Sequence, residues 1–162
     1  MKLLKSLLLV CCLTILSCSS NEENVDTDVD INTENPTNEI DYENQILNLL
    51  NDYRANKGLA RLDVLDIIKT QTDEHTDYMI SQGDISHDNF SSRSAYLQQN
   101  ADARNIGENV AFGYNNAQSL VNGWINSDGH RRNIEGNFTH FHLTAKQNNN
   151  GTWYYTNIFI RR

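Results

Sequence analysis

Cysteine is nearly missing from this chain, and the few positions it takes narrow the chemistry at once. Its three cysteines are Cys11, Cys12 and Cys18, and none follows. The body of the chain therefore holds no disulfide, although an exported protein's compartment would permit one. No cysteine is available there as a nucleophile, and no Gly-x-Ser-x-Gly element replaces it, so the commonest hydrolase plans are missing. No glycine-rich loop is suited to cradling a phosphate. The longest apolar run, Leu7 to Leu16, is too short to span a bilayer comfortably. There is no basic stripe either. Residues 41–162 carry 14 acidic against 11 basic side chains, which argues against nucleic acid as a partner.

What the N-terminus does contain is a pattern. Lys2 and Lys5 precede the apolar run, and Ile15-Leu16-Ser17 leads into Cys18, as in a secretory signal. The Ile-Leu-Ser-Cys ending resembles a bacterial lipobox. That likeness implies that residues 1–17 are a lipoprotein signal peptide and that Cys18 is the lipidated first residue of the mature protein. An ordinary signal peptide with an incidental cysteine is the alternative. Several acyl chains on one cysteine suffice for stable membrane attachment. Residues 18–40 then read as a flexible tether. Seven acidic residues and no basic one fall within 19–40, so most of the net charge of −8 belongs to this solvated segment. Ser19-Ser20-Asn21-Glu22-Glu23 resembles surface-export signals of some Gram-negative lipoproteins. The expected location is the bacterial cell envelope, at the outer membrane or cell surface, with the membrane as partner through the N-terminal lipid.

The 122 residues from 41 to 162 are enough for one compact domain. Ile46, Leu47, Leu49, Leu50 and Tyr53 recur at helical spacing, which predicts a helix over 41–56 stopped at Lys57-Gly58. A second helix is predicted over 64–82, ended by Gly83. Shorter ones are predicted over 91–99 and from 115 to 127. The last third changes period: 140–146 and 153–160 are rich in β-formers and flank an Asn-Gly loop, which predicts a hairpin. Tyr154 and Tyr155 alternate faces there, so one of them is expected to face the core. Helices first and a hairpin last make the class α+β.

The stretch from Gly107 to His140 carries most of the chemistry. Gly107-Glu108-Asn109 sets a carboxylate before the apolar Val110-Ala111-Phe112. Trp124 leads through Ser127 and a Ser-Asp-Gly turn into Gly129-His130-Arg131-Arg132-Asn133-Ile134. Together with 46–54, His75, Met79, Ser86-His87 and Phe138-Thr139-His140, these elements resemble the CAP superfamily of cysteine-rich secretory, antigen 5 and pathogenesis-related proteins, in its bacterial SCP-like branch. The resemblance runs from about Glu43 to Ile160 and implies a single-domain α-β-α sandwich. Many eukaryotic relatives carry disulfides; this chain departs from them.

The resemblance implies a cleft holding His87, Glu108, Ser127 and His140, with Ser127 standing where many relatives have an acidic residue. His87, His140 and Glu108 are the candidate ligands of a divalent metal such as zinc, because two imidazoles and a carboxylate leave a coordination position open. Without metal, the carboxylate would raise the pKa of a nearby imidazole and set up acid–base chemistry. A satisfied structural network is the third reading. His142, on the face of His140 if both lie on a strand, is considered as a further ligand or a space-filler. Trp124, His130 and Asn109 are expected to support the cleft, Trp124 as a core anchor whose indole N–H needs a partner. His75 reads as a packing histidine. The leading function is a binding or interaction module for a small ligand or protein, expected to be monomeric. The alternative is a metal-dependent hydrolase of peptide or cell-wall material, and the weight falls against an enzyme.

Overall fold

A computed structural model describes residues 39–162. The expected signal peptide, Cys18 and the expected tether up to residue 38 lie outside the described residues. Nine elements follow in order: α1 (Glu39–Asn56), β1 (Asp63–Val64), α2 (Asp66–Gln82), α3 (Phe90–Asn100), β2 (Asn105–Phe112), α4 (Ala117–Asn126), α5 (Asp128–Ile134), β3 (His140–Gln147) and β4 (Trp153–Arg161). The strands form one sheet in the order β1-β3-β4-β2, antiparallel except where β1 runs parallel to β3. Among the described residues, no helix is long and apolar enough to cross a membrane.

The helices end where the sequence says they must. Gly58 and Gly83 take left-handed φ values of 73° and 71°, and the Gly83 N–H returns to the Met79 and Ile80 carbonyls. The Asn116 side chain caps α4 by accepting from the Ser119 N–H at 2.8 Å. The β3–β4 hairpin closes through Gly151, also left-handed, and through Asn148 Oδ1, which accepts from the Asn150 and Thr152 N–H groups.

Both faces of the sheet are covered, which makes the architecture an α-β-α sandwich. On one face, Phe141, Leu143, Tyr155 and Phe159 pack with Tyr42, Ile46 and Leu50 of α1, Leu120 and Trp124 of α4, and Ile134 of α5. On the other, Ile158 and Ile160 meet Ile68 of α2 and Leu97 of α3. Hydroxyl pairs pin α2 to the same face: Thr72 to Thr144 at 2.7 Å and Thr76 to Thr156 at 2.8 Å.

Two sequence expectations need correction, and one strand went unpredicted. Tyr154 and Tyr155 are both buried, because Tyr154 packs with Met79 and Val110 on the α2 side while Tyr155 enters the larger core. Strand β2 was concealed by Gly107, Glu108 and Asn109 at its centre, residue types depleted from strands. Pairing with β4 along its full length overrides that preference. The Ser-Asp-Gly turn is the start of α5, whose Asp128 in the first turn and Arg131 and Arg132 in the last suit the helix dipole despite Gly129.

Candidate functional site

Glu108 is the centre of the site. It lies on β2, an edge strand of the sheet, with its side chain only 2% exposed. A carboxylate buried this deeply must be compensated. Arg93 of α3 does so in a fork: Nε donates to Oε2 and Nη2 to Oε1, each at 2.8 Å. Arg93 Nη1 also donates to the Asp88 carbonyl at 2.7 Å, which ties the loop before α3 to the same ion pair.

His87, on that loop, donates from Nδ1 to Glu108 Oε1 at 2.8 Å. An ionised carboxylate only accepts, so Nδ1 carries the proton and Nε2 is left at the outer end of a ring whose side chain is 54% exposed. Burial alone would push the Glu108 carboxyl up. The hydrogen bonds from His87 and Arg93 and the guanidinium charge outweigh it and hold Glu108 below its ordinary value. His75 of α2 completes the inner wall. Its Nε2–H donates to the Ser86 carbonyl at 2.7 Å and lies 3.9 Å from Glu108 Oε1. Burial lowers its pKa, so it sits neutral beside the carboxylate.

A cleft of about 250 Å³ opens next to this group. Val110, Ala111 and Phe112 of β2 form one wall, Gly123 and Trp124 of α4 another, with Ser127 and His130 at the polar end and Ile85 and Tyr114 on the rim. The Trp124 indole N–H donates to the Val110 carbonyl at 3.3 Å. His130 is pushed toward its neutral form by burial and by the charge of His87, which places the two imidazoles in electrostatic reach. Tyr114 lies directly over the bare backbone of Gly123, where a Cβ would overlap its ring.

A polar clasp holds β2 in place behind the cleft. Asn109, fully buried, donates to the His130 carbonyl at 3.2 Å and accepts from Asn133 Nδ2 at 2.8 Å. Asn133 Nδ2 also reaches the Glu108 carbonyl at 3.0 Å. Gly107 is needed because a Cβ there would meet Asn133 Oδ1 at 2.9 Å and the Phe138 ring at 3.0 Å.

The structure thus joins His87 to Glu108 and sets Ser127 and His130 in the adjoining cleft. It does not bring His140 to them. His140 starts β3, with β4 between it and β2, and its Nδ1 pairs with Thr139 Oγ1 at 2.8 Å. His142 is buried on β3, where its Nδ1 accepts from the Leu143 N–H at 2.8 Å, away from Glu108. The three side chains expected as zinc ligands are therefore not gathered. Both oxygens of Glu108 are occupied by a cationic guanidinium, which would oppose a second cation. Among the described residues, no group of three or more His, Cys, Asp or Glu side chains is arranged to hold a metal ion. The donor set does not fit zinc. Arg93 and Asn133 are the site residues that sequence reasoning passed over. A buried carboxylate demands a cation, and that demand was the signal available for Arg93.

The family profile of the cysteine-rich secretory proteins, CAP, matches residues 47–159. The chain belongs to this family. Among curated proteins it is 32% identical over 124 residues to an uncharacterized membrane protein of Bacillus subtilis, YlbC, covering 74% of this chain and 34% of that protein. A second uncharacterized B. subtilis protein, YkwD, is 28% identical over 112 residues, 67% of this chain and 44% of its own length. The CAP domain thus spans less than half of these relatives. Among solved structures, an extracellular SCP-domain protein of Bacillus anthracis superposes with a TM-score of 0.66 at 27% identity, covering 76% of this chain and 41% of that one. An outer surface protein of Borrelia burgdorferi gives 0.70 at 15% identity, over 77% of this chain and 96% of its own, which speaks to fold alone.

Proposed function

We propose that this CAP domain is an exported binding module of the bacterial cell envelope, anchored through a lipid on Cys18. Its ligand site is the cleft between β2 and α4, and its occupant is a small molecule with an apolar body and a hydrogen-bonding head. The observation that carries this reading is the pairing of an apolar-walled cleft with a few convergent polar groups, the usual form of a small-molecule site. Ser127 and His130 supply those groups. Export is supported by the extracellular SCP-domain protein of Bacillus anthracis among the structural relatives.

The test is a screen of the full chain against aromatic and short-chain fragments, read by ligand-observed NMR. Fragments should bind the wild type and be displaced by Ser127→Trp, which fills the polar end of the cleft. Equal binding to both proteins, or none to either, would overturn the reading. An acid–base hydrolase is the second reading, favoured by one observation: His87 is oriented by a buried carboxylate as a general base would be. Turnover of an ester or peptide probe that is lost in His87→Ala, with the fold intact, would put that reading first.

A further inference from the structure

On the other side of Arg93 lies a second, larger cavity of about 390 Å³, between α2 and α3. Its α2 wall is Gln71, Glu74, His75 and Tyr78, at the i, i+3, i+4, i+7 spacing of one helix face. The opposite wall repeats that spacing from the start of α3: Asn89, Ser92, Arg93 and Tyr96. Facing helices ordinarily close such a seam with apolar side chains. Here every member of both stripes carries a polar group, and the seam stays open at a volume within the range of about 300–1,000 Å³ typical of small-molecule sites.

We propose that this seam is a carbohydrate-binding site for a neutral saccharide. It goes beyond the cleft reading and does not depend on it. Sugars present hydroxyls that both donate and accept, over a flat C–H face, and the seam is built to match. Tyr78 is held rigid as a platform, stacked on the His75 ring at 5.9 Å and 15°, with its hydroxyl donating to Asp88 Oδ2 at 2.8 Å. Tyr96 faces it from α3 with 37% of its surface exposed. Such rings offer apolar area with a polar edge at little entropic cost. Gln71 Nε2 reaches Glu74 Oε2 at only 3.4 Å, the weak limit of a hydrogen bond, so a sugar hydroxyl can replace that contact at little cost. The guanidinium of Arg93 has more N–H groups than its bonds to Glu108 and Asp88 use. Its charge is already balanced by Glu108, and Glu74 adds a negative one, so an acidic sugar is disfavoured.

The test is a calorimetric titration of the full chain with maltotriose, cellotriose and chitotriose, with trigalacturonate and trialanine as controls. At least one neutral trisaccharide should bind saturably. Tyr96→Ala should weaken it by about tenfold or more, as loss of one stacking ring does, and Glu74→Gln should weaken it as well. Both positions are exposed, so folding is retained, checked by circular dichroism. Ser127→Ala in the other cleft should bind as the wild type does, which separates failure of this proposal from failure of the cleft reading. Binding of trigalacturonate or trialanine without any neutral sugar, wild-type affinity in Tyr96→Ala, or no saturable binding at all would each overturn it.

Discussion

Removing Arg93 should cost far more than a surface ion pair is worth. Its side chain is 7% exposed and that of Glu108 is 2%, so Arg93→Ala leaves a carboxylate in the interior without its cation. Breaking a buried pair from one side typically costs about 3–5 kcal/mol. That is a large part of the roughly 5–15 kcal/mol that holds a domain of this size together. The fork also carries the Asp88 carbonyl, so the loop bearing His87 loosens with it. Urea unfolding at pH 7, followed by Trp fluorescence, should show the midpoint falling with little change in slope. Removing both charges, as Arg93→Met with Glu108→Gln, should recover most of the loss, because no unpaired charge then remains buried. The pH dependence has a definite sign. Glu108 titrates below its ordinary 4.5 in the fold, so its stabilisation is complete above that value and is lost as pH falls through the folded pKa. In Arg93→Ala burial gains weight against what remains and moves the carboxyl up. The gap between wild type and variant should therefore narrow on acidification. A loss below about 1 kcal/mol at pH 7, the range of exposed pairs, or a gap that widens in acid, would refute the reasoning.

Gly107→Ala should destabilise by roughly 1–3 kcal/mol, the usual cost of overpacking, since the new methyl meets Asn133 and Phe138; thermal unfolding reads it directly. Gly123→Ala should displace Tyr114 from the cleft rim and change fragment binding there more than it changes stability; a crystal structure with Tyr114 unmoved would count against it. Arg54→Met should cost roughly 2–4 kcal/mol, because the Ala60, Ile134 and Gly136 carbonyls lose a charged donor; an unchanged urea midpoint would show that water replaces it. Cys18→Ser should release the protein from the membrane fraction and abolish labelling by an alkynyl fatty acid; retained labelling would place the lipid elsewhere.

The outer features of this fold were legible and the inner ones were not, for a physical reason. Helix α1 announces itself through Ile46, Leu47 and Leu50, and its end through Gly58, because helical periodicity and left-handed glycine are local signals. The hairpin of β3 and β4 is local too. Strand β2 has no such signal, since its stability comes from partners some fifty residues later in the chain, Asn105 pairing with Arg161 and Phe112 with Tyr154. The same limit applies to the site. Gly107-Glu108-Asn109 stood out by likeness to the family, but only the three-dimensional arrangement shows that Glu108 belongs to Arg93 and His87 and not to His140. Nothing along the sequence shows that residues of β2 and β3 will lie apart, and β4 inserted between the two strands separates their side chains.

A cysteine-free domain in a family named for cysteine must hold its irregular segments by other means, and the buried polar side chains do that here. Asn51 of α1 donates to the Leu62 carbonyl and accepts from the Leu62 N–H, fixing the chain just before β1 as a backbone ladder would. Arg54, one turn further, gathers carbonyls from both the loop after α1 and the loop after α5. Asn133 ties α5 to β2, and Arg93 ties the His87 loop to Glu108. Most of these links join backbone that no helix or strand secures to an element that the core does secure, whereas Asn133 joins two elements. A disulfide would constrain such segments chiefly by limiting the unfolded chain, whereas these links act only once the fold has excluded water around them. They are therefore mutually dependent. Loss of one should loosen its own loop first and spread to the cleft only through Glu108, where the links from α3 and from α5 meet on a single residue.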